Sequence, residues 1–277
     1  MSRIFDEVVC CLGKIVFVGL GLNDDLGVSI HGLEEARNAD TVFIELYTSV
    51  LPEFQLERLE TTMGRKAHML TRNELEEDNG KRILDAGKTG KTVFLVPGDP
   101  LIATTHVALR IEAHKRGIET QVIHGASVLS AVIGLSGLHN YKFGKSVTIP
   151  FPDETPSRTP YSVIAQNKTL GLHTLCLLDI KTEENRFLSI REGLEALLKG
   201  KTEKNEGAVT PDSVAVGVAR AGSVNPMVKA GFINGLLRSD FGGPPQSLIL
   251  AGSLHFMEAE ALITLAGAPE DIRRFVE

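Results

Sequence analysis

The chain has 277 residues, 43% of them hydrophobic and 23% charged, a balance that excludes disordered, collagen-like and membrane-spanning classes. That length suits one large domain or two modest ones. Its 29 basic and 35 acidic residues sum to −6 with no run of five or six like charges, so it lacks the basic stripe that non-specific nucleic-acid binding needs.

In chain order, Lys14 to Val18 reads as a buried strand, Gly19 to Leu22 as a turn, and Ser29 to Ala39 as a helix. A second strand follows at Thr41 to Glu45, then polar helical segments near Glu53 to Leu59 and Asn73 to Ala86. Thr92 to Val96 is a third strand, ended abruptly by Pro97-Gly98-Asp99-Pro100. Thr105 to Lys115 reads as a helix with His106, Arg110 and His114 along one solvated side, Gln121 to His124 as a fourth strand, and Ser127 to Leu135 as an apolar helix. This alternation predicts a mostly parallel sheet with helices on both faces.

The pattern changes near residue 140. Phe151 to Pro160 carries three prolines and reads as an interdomain connection, giving domains at 1–140 and 141–277. Beyond it, strands are expected at Thr174 to Ile180, Ser213 to Ala219 and Ser247 to Ala251. Helices are expected at Ser189 to Leu198 and Phe256 to Leu265, with a polar loop at Gly200 to Gly207 and a hairpin around Asn225-Pro226. The fold class is α/β, two α/β domains with parallel and mixed sheets.

Three cysteines, Cys10, Cys11 and Cys176, form no C-x-x-C pair, which fits a reduced cytoplasmic protein without structural disulfide or zinc knuckle. Cys176 lies in an apolar strand and reads as packing. The stretch Val8 to Leu22 is a poor secretion signal, because Asp6 and Glu7 precede it and Lys14 interrupts it. No apolar run approaches the ~20 residues that cross a bilayer.

Glycine, at 27 residues, exceeds its usual ~7% and concentrates at strand ends, where open α/β sheets bind ligands. The loops are Gly19 to Leu22, Pro97 to Thr105, Gly125 to Ser127, Arg220 to Ser223 and Phe241 to Gln246. Each has a purely conformational reading; together they suggest an adenosine-sized pocket. A dinucleotide fingerprint fails at the first loop, because its third glycine position holds Asp24, and carboxylates at Asp24 and Asp25 repel a pyrophosphate. Glu45, the would-be ribose acid, then reads as a strand-end residue on solvent.

Asp99, between a glycine and a proline, is placed to accept hydrogen bonds from a ligand's hydroxyls or ammonium; equally, it can cap the following helix. His106 and His114 flank Arg110, which repels a cation, so no metal site is expected. No G-x-S-x-G or G-x-x-x-x-G-K-[ST] motif occurs.

The first loop, Pro97-Gly98-Asp99-Pro100 through His106, Gly137 to Lys145 (GLHNYKFGK), Leu178 to Lys181 (LDIK), Ala219 to Ser223 (ARAGS) and Ala266 to Pro269 together resemble the diphthine synthases. The resemblance runs from about Lys14 to Ile272. The first loop and the Gly98-Asp99-Pro100 turn are shared with the wider tetrapyrrole-methylase class, whereas GLHNYKFGKS and ARAGSVNP are the more specific stretches. It implies a homodimeric cytoplasmic methyltransferase with S-adenosyl-L-methionine in a cleft between two α/β domains. The substrate implied is the amino group of a 3-carboxy-3-aminopropyl chain on a histidine of translation elongation factor 2, in diphthamide biosynthesis. No membrane or nucleic-acid partner is implied, and the alternative is a related methyltransferase acting on a tetrapyrrole. By position, the family's cofactor contacts fall on Leu22, Asp99, Ile102, Ser127, Val128, Leu178, Ala221 and Gln246, the last a position where some relatives carry histidine. No general base is named, and Lys142, Lys145 and Lys181 read as solvated surface.

Overall fold

The computed structural model describes residues 13–154, 157–200 and 207–277. Cys10, Cys11, the start of the Val8 to Leu22 stretch, Thr155, Pro156 and most of the Gly200 to Gly207 loop lie outside the described residues. The chain forms two compact units, one drawn from residues up to Ser49 with Glu53–Ala126, the other from Val50–Pro52 with Ser127–Glu277.

In the first unit, β1 (Lys14–Gly19), β2 (Thr41–Glu45), β3 (His68–Leu70), β4 (Lys91–Val96) and β5 (Glu119–Ile123) form a sheet in the order β3-β2-β4-β1-β5. Every pairing is parallel. Its central strands are continuous apolar runs because helices cover both faces of such a sheet. Between the strands run α1 (Ile30–Arg37), α2 (Leu56–Met63), α3 (Arg72–Glu76), α4 (Lys81–Thr89) and α5 (Val107–Lys115). Ile15 and Phe17 of β1, Phe94 of β4 and Ile83 and Leu84 of α4 are fully buried in one core. The segment Asn73 to Ala86, expected as one helix, is two, because Asn79 and Gly80 adopt left-handed φ values of 52° and 63°.

The second unit contains α6 (Val128–Ser136), β6 (Val147–Ile149), α7 (Thr159–Thr169), β7 (Thr174–Leu178), β8 (Ile180–Lys181), β9 (Arg186–Phe187), α8 (Ile190–Lys199), β10 (Val214–Ala219), β11 (Met227–Phe232), α9 (Ile233–Leu236), β12 (Gln246–Leu250) and α10 (Phe256–Ala266). Its sheet has the order β11-β10-β12-β7-β6, parallel only between β6 and β7. Side chains alternate along β10: Val214, Val216 and Val218 pack in one core with Leu262 of α10, while Ala215 and Ala219 pack in another with Leu194 of α8.

The units divide at Ala126, not near residue 140. The reason is packing: Val132 of α6 and the following Leu138 are buried with Val216, Val218 and Leu262. The proline-bearing stretch is not a connection either. Phe151 is 2% exposed in the second unit's core, and Pro160 sits in the first turn of α7, where its missing N–H has no intrahelical partner to lose.

Candidate functional site

The first unit brings three of the expected loops together at the carboxyl ends of its strands. From β1 the chain crosses to β2, beyond β4; from β4 it crosses the other way to β5, beyond β1. The neighbouring ends of β1 and β4 are thus the point where an open α/β sheet offers a crevice. There the Gly21 and Gly98 backbones exchange hydrogen bonds, N–H to O at 3.2 and 2.6 Å. A Cβ on Gly125 would lie 2.3 Å from the Gly98 carbonyl oxygen, and one on Gly19 2.5 Å from the same atom. Backbone cannot yield as a side-chain tip does, so only glycine permits this crossing.

Asp99 follows immediately and is 5% exposed. Its Oδ1 accepts from the Leu101 N–H at 3.0 Å, and its Oδ2 pairs with His124 Nδ1 at 2.7 Å, the imidazole itself lying largely in solvent. Asp99 therefore caps its own turn and not α5, which begins eight residues later. Ile102 presents an exposed apolar side chain on the same loop, and Leu22 approaches Gly98. His106, expected on a solvated helix face, is 2% exposed; it precedes α5, and its ring meets Phe94 edge-on at 5.0 Å. Burial pushes its pKa down to about 4, so it is neutral.

The acids of the first loop are used locally. Asp24 Oδ1 accepts from the Leu26 N–H at 3.0 Å, and Asp25 is held by a two-pronged pair with Arg58 that lowers its pKa. Glu45 is not on solvent: it is fully buried, its carboxylate accepting from the Tyr47 and Thr48 N–H groups at 2.9 and 3.0 Å and from the Thr48 hydroxyl. Burial raises its pKa against those bonds. An extended acidic strand end reads as exposed when the turn that caps it is not recognised.

In the second unit, three of the expected contacts share one sheet end. Gln246 pairs with Ala219, two residues before Ala221, and Ser247 pairs with Leu177, beside Leu178. Leu178 is buried against Gly193 and Ile149 in the second unit's core. The Gln246 amide spans two elements, accepting from the Ile190 N–H at 2.9 Å and donating to the Gly242 carbonyl at 2.7 Å. Arg220, at φ 51°, donates to the carbonyls of Phe241 and Gly243 and so ties down the same loop. Ser127 caps α6, accepting from the Leu129 N–H, and Val128 opens that helix. Among the described residues no cluster of three or more metal-ligating side chains occurs, and no helix is long and apolar enough to cross a membrane.

Residues 14–223 match the family model of the Tetrapyrrole (Corrin/Porphyrin) Methylases. The chain is 46% identical over 269 residues to a diphthine synthase of Methanosarcina mazei, covering 95% of this chain and 100% of the relative. It is 45% identical over 251 residues to that of Methanocaldococcus jannaschii, covering 90% and 97%. A crystal structure of diphthine synthase superposes with a TM-score of 0.86 at 41% identity, covering 95% of this chain and all of that one.

The chain is a diphthine-synthase-family tetrapyrrole methylase.

In this member the segment Gly137 to Lys145 is tied to a buried carboxylate that lies far from it in sequence. Glu258, fully buried in the first turn of α10, accepts from the His139 N–H at 2.8 Å and His173 Nε2 at 3.0 Å on one oxygen. On the other it accepts from the His255 N–H at 2.8 Å and Lys142 Nζ at 3.1 Å. Four donors fill its lone-pair positions. Burial opposes the charge, yet these bonds hold its pKa down to about 2. His173 Nδ1 accepts from the Gly252 N–H at 3.0 Å, which places its proton on Nε2, toward Glu258. Lys142 is therefore a structural ion, not solvated surface, and its Nζ also donates to the Ser253 carbonyl. Lys181 is likewise paired, with Glu154 and Glu184. Nothing in the sequence near Lys142 announces Glu258; only the capping pattern of His255 and Glu258 hints at an occupied carboxylate.

Proposed function

We propose that this protein methylates the amino group of the 3-carboxy-3-aminopropyl histidine of translation elongation factor 2, giving diphthine, with S-adenosyl-L-methionine as donor. The observation that carries the reading is the end-to-end match to diphthine synthases, which spans both units. The residues present fit the donor. A glycine crossing at the switch point, flanked by the buried Asp99 and the exposed Ile102, suits a ligand with hydroxyls, an ammonium and an apolar edge. Asp24 at the loop's end disfavours a phosphate there.

When bound, the donor supplies an electrophilic methyl on a sulfonium. The amine, having lost its proton to solvent before docking, would take that methyl in line, the N–C bond forming as the S–C bond breaks and S-adenosyl-L-homocysteine leaves. What the chain contributes is alignment: Asp99 on ribose hydroxyls or the ammonium, Leu22 and Ile102 on apolar surface, and Ser127, Val128, Leu178, Ala221 and Gln246 as the remaining contacts. Positioning of this kind is worth up to roughly 7–11 kcal/mol in well-aligned models. The protein works in the cytoplasm as a homodimer.

The test is transfer of labelled methyl groups to elongation factor 2 bearing the aminocarboxypropyl histidine, read by intact mass. Labelling of a tetrapyrrole alone would move the assignment to that class. Calorimetric titration of the donor into Asp99→Ala tests the site, with affinity expected to fall roughly tenfold or more; unchanged affinity in the folded variant removes Asp99 from it.

A further inference from the structure

The loop from Asp99 to His106 has no regular structure, yet it carries two of the proposed donor contacts. Within it Ala103 holds a left-handed φ of 57°, which costs a residue with a Cβ about 1 kcal/mol or more. Something must hold the loop in this shape. The Pro100 carbonyl is the anchor point: the Thr104 hydroxyl donates to it at 2.9 Å and His106 Nδ1 lies 3.2 Å away. A carbonyl only accepts, so the His106 proton is on Nδ1. The ring's other nitrogen, Nε2, is buried and has no hydrogen-bond partner. Pressed against Phe94 in the sheet's core, the imidazole is a fixed post, joined to the loop through Nδ1 alone.

We propose that His106 is a positioning residue for the methyl donor: through its Nδ1–H on the Pro100 carbonyl, it fixes the turn that presents Asp99 and Ile102. It touches neither donor nor substrate in this role. The turn it braces is the one in which the Leu101 N–H donates to Asp99 Oδ1 and the Ile102 N–H donates to the Asp99 carbonyl at 3.3 Å. The part of the inference that concerns the donor rests on the functional reading above; the bracing of the turn does not.

Two variants separate the hydrogen bond from the bulk. In His106→Asn the side-chain amide N–H stands close to where Nδ1–H was; in His106→Leu the bulk stays and the donor is lost. The first measurement is hydrogen exchange at the Leu101 and Ile102 amides. Exchange is expected to quicken roughly tenfold or more in the Leu variant and to stay within about threefold of wild type in the Asn variant. The second is calorimetric affinity for S-adenosyl-L-methionine, expected to weaken roughly tenfold in the Leu variant and to recover in the Asn variant, with turnover at saturating donor nearly unchanged. Nitrogen-detected NMR of the wild-type ring should place the proton on Nδ1. A ring protonated on Nε2, equal amide protection in wild type and the Leu variant, or an Asn variant as impaired as Leu would overturn the proposal. Should wild type fail to bind the donor at all, the functional reading falls, while amide exchange still decides what His106 does to the turn.

Discussion

At Gly19, Gly98 and Gly125 of the first unit, backbone meets backbone with no side chain between, whereas in the second unit Gly137 to Lys145 is tied down by side chains distant in sequence, the Glu258 carboxylate at His139 and Lys142 and the Asn167 amide at Lys145. The first arrangement is rigid because nothing in it can rotate, and it leaves the strand ends open to a ligand. The second is rigid because every lone pair of a buried charge is taken, and it leaves no room for one. Steric necessity therefore marks the proposed donor site and electrostatic necessity marks the Gly137 to Lys145 segment, and the two should fail differently.

The largest effect is expected from the second. Glu258→Ala strands Lys142 and the His139 and His255 N–H groups without their acceptor, and should cost about 3–5 kcal/mol by chemical denaturation. Glu258→Gln keeps the volume and part of the hydrogen bonding and should cost less. If the Ala variant lost under about 1 kcal/mol, the carboxylate would not be the hub described.

Next comes acid. Glu258, ordinarily near 4.5 and held here at about 2, contributes about 3 kcal/mol above pH 4.5 that is lost as pH falls from there toward 2. His106 works in a higher window. With its folded pKa near 4 against 6.5 unfolded, the unfolded chain binds the extra proton first, so stability falls as pH drops from 6.5 to 4, again by about 3 kcal/mol. His173, also pushed down by burial, acts in the same direction. Glu45, its pKa raised by burial, acts oppositely, losing stability as pH rises above 4.5. Stability measured against pH should thus lose slope between 4 and 6.5 in His106→Asn, and between 2 and 4.5 in Glu258→Gln. Parallel curves for wild type and both variants would refute the assignment of these windows.

The glycine crossing should break more quietly. Gly125→Ala forces a Cβ to 2.3 Å from the Gly98 oxygen, and the strand ends must part, at a cost of about 1–3 kcal/mol. Because the parting occurs beside Asp99, donor affinity should fall with it, whereas Glu258→Gln should spare affinity. Equal loss of affinity in both variants would erase the distinction between the two regions.

Legibility in the sequence followed the same division. Loops that depend on a missing side chain announce themselves, and Gly19, Gly98, Gly125 and Asp99 read as strand-end residues from sequence alone. Groups that depend on distant partners do not. Glu45 and His106 read as solvated because their caps, Thr48 and the Pro100 carbonyl, are polar groups with no periodic signature. Lys142 read as surface because Glu258 is more than a hundred residues away. The strands β3 and β6, three residues each, are too short to show alternation, and α7 is hidden because Pro160, which marks its beginning, reads as a breaker.

The smallest effect sharpens the proposed site itself. Gln246 is one of the proposed donor contacts, and its side chain is occupied: one end accepts from Ile190, the other donates to Gly242. If the contact to the donor is made by the strand backbone paired with Ala219, then Gln246→Leu should cost about 1 kcal/mol of stability, from the two lost ties, and change donor affinity less than about threefold. Gln246→His offers one ring nitrogen to the Ile190 N–H and should recover part of that stability without altering affinity. A tenfold loss of affinity in the Leu variant at unchanged stability would instead assign the amide itself to the ligand, and the hydrogen bonds to Ile190 and Gly242 would then be those of a side chain that turns when the donor arrives.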